Sequence, residues 1–343
     1  MRAIQLTKLG ELPELREVPD PTPGPGQVLI KVDAAGLCHS DFAVINGILP
    51  DVELPMTLGH EVVGTVVDAG ASAKNLVTMG ERVMIYGPWG CGRCRMCAEG
   101  YENYCWNASK MGITPPGLGH DGGCADYMLV DRARYCIPIG DLDPVAAAPL
   151  TDAALTPYHA VQHSREKLRA NSVAVVLGAG GLGHIGIQLL KHLTPATVVA
   201  IDLSEEALRL AREVGADYTF LSNQDAVKAV MDLTKGVGAS VVFDFVGNQA
   251  TIDLGAQMNR VRGDWNIVGI GGGAAKVGFG TVPYECQVFT PYWGTRADMY
   301  DVVSLAQRGM IRAHTTTYSL DDGVEAYDDF HSGKIVGRAV LVP

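Results

Sequence analysis

Residues 172–193 read SVAVVLGAGGLGHIGIQLLKHL: an unbroken apolar run, a run of glycines, then a segment of helical character. An apolar run of this kind without polar alternation reads as a strand covered on both faces, which is the situation of strands in parallel sheets. Residues 196–216, ATVVAIDLSEEALRLAREVGA, repeat the strand-to-helix alternation. This second helix carries Glu205 and Glu206 in its first turn, Arg209 and Arg212 later and Gly215 as a stop, in keeping with the helix dipole and with glycine caps. ASVVFDFVG (239–247) and WNIVGIGG (265–272) supply further buried strands. The chain is therefore read as α/β, with a doubly wound parallel sheet and right-handed crossovers.

The glycine run contains G-x-G-x-x-G as Gly178, Gly180 and Gly183, with Gly181 and Leu182 between the last two. Alone, such a match is common in glycine-rich turns. Here it follows a buried strand, opens a helix and precedes a strand ending in Asp202, the context of a dinucleotide fingerprint. Gly178 permits the tight turn, Gly180 lets the backbone approach a pyrophosphate, and Gly183 lets helix pack on strand. The phosphates are then expected at the positive end of the helix. Asp202, nineteen residues after Gly183, is placed to accept the adenosine ribose hydroxyls. A 2′-phosphate would be repelled by that carboxylate, and the following LSEE offers no arginine, so NAD is expected rather than NADP.

Outward from this core the pattern changes. QVLIKVDAAG (27–36) alternates apolar with polar positions after a Pro/Gly linker, and EVVGTVVDAG (61–70) and ERVMIYG (81–87) are further short strands. After about residue 287 the sequence turns irregular, and GRAVLVP (337–343) ends it as a strand. A chain of 343 residues accommodates two domains. The expected division is 1–150 with 288–343 as one, discontinuous domain and 151–287 as the nucleotide-binding one. A net charge of −11 argues against nucleic acid or an anionic membrane surface as a partner. The first fifteen residues lack a signal-peptide core and no run of 18 apolar residues occurs, so a cytoplasmic location with reduced thiols is expected.

Those thiols are concentrated. Cys91, Cys94, Cys97 and Cys105 form C-x2-C-x2-C-x7-C, a spacing that lets four thiolates close a tetrahedral shell, and a structural zinc is expected there. Upstream lie AGLCHSDF (35–42) and LGHEVVG (58–64). Cys38 and His60 are a plausible pair for a second, catalytic zinc with an open position. Asp41 is available to hydrogen-bond the far nitrogen of His60, and Glu61 follows directly as an exchange ligand.

GLCHSD, GHE, the four-cysteine lobe and the glycine turn, in this order and at these distances, resemble the zinc-dependent medium-chain alcohol dehydrogenases over essentially the whole chain. YGPWGCG, PLTDAALTPYHA and TPYWGTR resemble the bacterial secondary-alcohol dehydrogenases of that family. The resemblance implies a GroES-like catalytic domain wrapped around a Rossmann domain, two zinc ions per subunit, NAD and a homotetramer. It implies reversible hydride transfer between secondary alcohols or ketones, aryl-substituted ones included, and NAD, with the ion as Lewis acid. Well-known members carry a second cysteine as third ligand where this chain has Asp152; a bacterial branch uses aspartate, so the ligand role carries over to Asp152, with an N-cap as the alternative. By resemblance Ser40 relays the proton, His39 faces cofactor phosphate, Thr156 meets the carboxamide, Val246 and Ile270 line the nicotinamide pocket, and Arg338 binds pyrophosphate. The outer relay histidine of better-known members is here Ala43. Phe42, Tyr292 and Trp293 are candidate walls for an apolar substrate. Two other readings remain open: a zinc-dependent polyol dehydrogenase, and a zinc-free, quinone reductase-like or non-catalytic nucleotide-binding protein.

Overall fold

The run Val173–Leu177 is a strand, and its alternate residues enter two different cores: Ala174 and Val176 on one face, Val175 and Leu177 on the other. Its neighbours do the same, Val198 and Ala200 opposing Val199 and Ile201, and Val241 and Phe243 opposing Val242. This two-sided burial is why these strands read as continuous apolar runs. In the computed structural model, which describes residues 1–49 and 52–343, the chain forms two units: residues 1–155 with 294–343, and residues 156–293.

In chain order the strands of the first unit are β1 (Arg2–Leu6), β2 (Glu14–Glu17), β3 (Val28–Gly36), β4 (Met56–Thr57), β5 (Glu61–Ala69), β6 (Arg82–Ile85), β7 (Tyr127–Val130) and β8 (Cys136–Pro138). The second unit holds β9 (Val173–Leu177), β10 (Thr197–Asp202), β11 (Tyr218–Leu221), β12 (Ala239–Asp244), β13 (Asn259–Ile267) and β14 (Gln287–Phe289). The chain then returns to the first unit with β15 (Thr315–Ser319) and β16 (Arg338–Val342).

The second unit is a parallel sheet in the order β11-β10-β9-β12-β13-β14. Numbered within the unit this is 3-2-1-4-5-6, the Rossmann order, whose ligand crevice lies at the carboxyl ends of the strands beside the first one. The glycine turn follows that strand. The first unit contains a three-stranded sheet, β2-β1-β4, and a sheet in the order β15-β16-β3-β5-β6-β8 with β7 also on β3. β3 shows the half-buried alternation expected of it, with Val28, Ile30 and Val32 inside and Lys31 exposed.

The breaks fall five and six residues later than the sequence pattern suggests. Residues 150–154 form a π-helical turn in the first unit, and only at Leu155 does the helix Leu155–Ser164 begin. At the other end, β14 pairs in parallel with β13, Trp265 beside Val288, so the second sheet keeps a strand that looked irregular in sequence. Among the described residues no helix is long and apolar enough to cross a membrane.

Candidate active site

β3 and β5 run antiparallel with Gly36 opposite Glu61. Cys38 lies two residues beyond the end of one strand and His60 one residue before the start of the other, so the register itself brings them together across 22 residues of sequence. β16 pairs on the other side of β3, with Val340 opposite Gly36, and delivers Arg338 to the same place. A side chain on Gly36 would meet Glu61 Oε2 at 2.2 Å. The glycine is what leaves room for that carboxylate.

Ligand atoms of Cys38, His60, Glu61 and Asp152 all lie within 4.8 Å of one another, and all four residues are buried. Asp152 Oδ2 is 3.5 Å from Cys38 Sγ and 3.8 Å from His60 Nε2. Tetrahedral zinc bound at ordinary lengths sets its sulfur, nitrogen and oxygen ligands about 3.4–3.6 Å apart. Asp152 sits inside the π-helical turn, a device frequent at functional sites because it re-aims one side chain. Arg338 Nη2 donates to Glu61 Oε1 at 2.6 Å and lies 3.5 Å from Asp152 Oδ2. Glu61 Oε2 has no hydrogen-bond partner among the described residues.

The electrostatics ask for a cation. Burial opposes charging the His60 imidazole, yet Asp41 and Asp152 outweigh it and raise its pKa well above the ordinary value. Burial pushes the Glu61 carboxyl well up, with Arg338 opposing and Cys38 and Asp152 adding to the rise. Thiol, imidazole and carboxylates packed this closely compete for protons that a divalent ion would replace. The residues fit a metal.

His60 is held from behind. Its Nδ1 is 3.0 Å from Asp41 Oδ1, while Asp41 Oδ2 accepts from the Cys38 backbone N–H and from the Tyr327 hydroxyl, both at 3.1 Å. With Nδ1–H donating to Asp41, the Nε2 lone pair faces the cluster. Cys38 is the N-cap of the helix His39–Ile45. Ser40 follows in the first turn, its hydroxyl 3.7 Å from Cys38 Sγ. The contacts of Arg338 with Glu61 and of Tyr327 with Asp41 carry no sequence signal, because they join residues 277 and 286 positions apart.

The second cluster is the cysteine lobe. Sulfur separations are 3.5 Å for Cys94–Cys97, 3.9 Å for Cys94–Cys105 and 4.0 Å for Cys91–Cys97. Four thiolates at tetrahedral zinc stand about 3.8 Å apart. Hydrogen bonding from the Arg93 backbone draws Cys91 down to about 6, and burial pushes Cys97 up to about 12. The Cys94 backbone N–H and Asn107 Nδ2 also donate to Cys91 Sγ. This set, too, fits a cation.

In the second unit the three glycines behave distinctly. Gly178 has φ +86°, a Cβ on Gly183 would lie 1.8 Å from Gly178 O, and a Cβ on Gly180 would meet nothing within 4 Å. The first is needed for the turn, the second for packing, and the third leaves space over the backbone for a phosphate. Asp202 ends β10, with Oδ2 accepting from Ala179 N at 2.7 Å and Oδ1 from Ser204 N at 2.9 Å. Each oxygen retains a lone pair for a ribose hydroxyl. These residues fit a dinucleotide. Val246 lies against Gly178, and Gly269 and Gly271 pack on its backbone beside the exposed Ile270. Thr156 is buried in this unit.

The candidate substrate walls do not form one group within a unit. Phe42 belongs to the first unit, where its neighbours are Tyr327, Phe330 and His331. Tyr292 and Trp293 belong to the second and form an edge-to-face pair at 5.6 Å. His39 is exposed, its ring 4.6 Å from Phe330. Arg338, by contrast, is buried on Glu61.

Comparison with known proteins adds the family. The alcohol dehydrogenase GroES-like domain matches residues 24–141, and the zinc-binding dehydrogenase domain matches residues 181–308. An NAD-dependent alcohol dehydrogenase of Sulfurisphaera tokodaii is 36% identical, each chain fully covered. A D-arabinose 1-dehydrogenase (NADP(+)) of Saccharolobus solfataricus is 34% identical over 100% of this chain and 97% of that one. The acetophenone reductase of Geotrichum candidum, solved in complex with NAD, superposes with a TM-score of 0.88 at 32% identity, covering 100% of this chain and 97% of the other.

Proposed function

The chain belongs to the zinc-binding alcohol dehydrogenase family, and from that membership we propose that it is an NAD-dependent dehydrogenase of secondary alcohols and their ketones, aryl ketones included. One observation carries the reading: the buried convergence of Cys38, His60 and Asp152, separate from the four-cysteine lobe. Cys38, His60 and Asp152 would hold the catalytic zinc with Glu61 in reserve, and Cys91, Cys94, Cys97 and Cys105 the structural one, two ions per chain. When bound, zinc supplies a Lewis acid for the alcohol oxygen and NAD a hydride acceptor.

The chain's own residues do the rest. Asp41 fixes the His60 tautomer so that Nε2 is the ligand atom. Cys38 and Asp152, both anionic, balance a divalent ion, and Arg338 donates to the Glu61 carboxyl beside them. Ser40, half-buried beside Cys38, is the first carrier for the proton leaving the substrate hydroxyl. Ala43 gives no outer histidine, so water or the exposed His39 continues the path. Asp202 takes the adenosine ribose, and Glu205 and Glu206 add negative charge against a 2′-phosphate. Thr156, Val246 and Ile270 are assigned to the nicotinamide, His39 to the phosphates, and Phe42, Tyr292 and Trp293 to the substrate; Arg338, expected from the resemblance to bind pyrophosphate, is instead taken up by Glu61 and Asp152. The similarity to the acetophenone reductase supports an aryl ketone.

A cytoplasmic location and a homotetramer are part of the proposal; the association is supported by exposed apolar side chains on the second unit, Val277, Phe279 and Tyr284, with Phe279 93% exposed. A second reading, oxidation of a polyol or sugar, is favoured by the D-arabinose 1-dehydrogenase relative. The aromatic candidates speak against it, since a polyol needs several polar partners. Metal analysis should find two zinc ions per chain. A rate panel with NAD and NADP over 1-phenylethanol, 2-butanol, ethanol, sorbitol and D-arabinose, with and without chelator, should rank 1-phenylethanol with NAD first. Faster turnover of sorbitol or D-arabinose would replace the substrate assignment, and full activity in metal-free protein would end the zinc mechanism.

A further inference from the structure

We propose that Tyr327, on the helix Gly323–His331, is a positioning residue for the catalytic metal: its hydroxyl fixes Asp41, which in turn fixes His60. The proposal rests on the reading that Cys38, His60 and Asp152 hold zinc.

The geometry is a buried chain of polar groups. The Tyr327 hydroxyl donates to Asp41 Oδ2 at 3.1 Å, and Asp41 Oδ1 receives His60 Nδ1–H at 3.0 Å. Tyr327 and Asp41 are 0% exposed and His60 1%, so bulk solvent reaches none of these partners. Asp41 thus has one oxygen on the imidazole and the other shared by the phenol and the Cys38 backbone N–H. A carboxylate gripped at both oxygens cannot rotate without breaking bonds at both ends, and the imidazole plane follows it. Cys124 Sγ lies 3.8 Å from the same hydroxyl. Burial, with Asp41 and Cys124 adding to it, holds the phenol far above its ordinary pKa, so it stays protonated. Its single proton goes to the carboxylate, the stronger acceptor, and the Cys124 thiol is left to donate to the phenol oxygen.

The same helix face is seated on the helix that begins at Cys38. Tyr327, Phe330 and His331 share one face at i, i+3 and i+4. Phe330 contacts the His39 ring at 4.6 Å and His331 the Phe42 ring at 4.9 Å. Tyr327→Phe therefore keeps the ring packing and deletes only the hydroxyl.

The test follows zinc release into an excess of a chromogenic chelator. Two phases are expected from the unaltered protein, assigned with Asp41→Asn, which should accelerate the His60 site, and Cys94→Ser, which should remove the cysteine-lobe phase. Tyr327→Phe should accelerate loss from the His60 site about 10-fold, the lower end of the effect of altering a partner behind a metal ligand. It should leave the lobe phase unmoved, and it should lower the unfolding midpoint only as far as the loss of one buried hydrogen bond requires. Tyr86→Phe deletes another buried hydroxyl of the first unit, one that donates to Gly294 O, and should change neither phase. Release from Tyr327→Phe equal to that from Tyr86→Phe overturns the proposal alone, whatever happens to the unfolding midpoint. A single ion per unaltered chain overturns the proposal together with the reading beneath it.

Discussion

Arg338 is 1% exposed and shares its guanidinium between Glu61 and Asp152, so three charged side chains meet where water cannot screen them. Removing one partner of such a cluster leaves the others uncompensated, a loss of about 3–5 kcal/mol. Arg338→Met should lower the urea-unfolding free energy of the chelator-treated protein by about that much, and a change under 1 kcal/mol would refute the ion-pair account. The pH dependence has a definite sign. The folded pKa of Glu61 stands above its ordinary 4.5, and without the guanidinium it stands higher still. A raised carboxyl contributes stability that is complete below about 4.5 and lost as pH climbs through the folded value. The deficit of Arg338→Met should therefore widen from acid toward neutral pH. At this scale Cys38, His60, Asp41 and the four lobe cysteines were legible, because metal chemistry restricts residue types and spacings. Arg338 against Glu61 was not, since ion pairing leaves no trace in either residue's neighbours along the chain.

Short elements fixed by glycine decide how each site is built. In the nucleotide turn Gly183 and Gly180 differ in what a methyl group would meet, Gly178 O at 1.8 Å against nothing within 4 Å. Gly183→Ala should lower both the thermal midpoint and NADH affinity, the latter at least about 10-fold, through loss of helix–strand packing. Gly180→Ala should leave the midpoint unchanged and weaken NADH alone, because only the bound phosphates would collide with it. Fluorescence titration and calorimetry on both variants check this, and equal midpoint losses would contradict it. The turn's glycine spacing was readable in sequence because it is local. The need for Gly36 was not, because the carboxylate it accommodates lies on the neighbouring strand.

Across the whole molecule, the residues fall by unit: both groups of side chains able to hold a metal lie in the first, the glycine turn in the second. Cys94→Ser should leave one zinc ion per chain and destabilise the first unit, since a structural zinc contributes folding free energy outright. NADH binding to the second unit should persist; its complete loss would show that the units do not fold separately. The alternating strands and helices announced the parallel sheet, and two-sided burial is why their apolar runs are unbroken. The boundaries were less visible: a π-turn resembles an ordinary helix start in sequence, and β14 earns its place only by pairing with β13. By itself, then, the sequence determined the fold class, the metal-type residues and the nucleotide fingerprint, all of which depend on local spacing and apolar period. Only tertiary structure decided that Asp152 faces Cys38 and His60, that Arg338 neutralises Glu61, and that Tyr327 stands behind Asp41. Those contacts follow from strand register and helix seating, which join residues far apart in the chain.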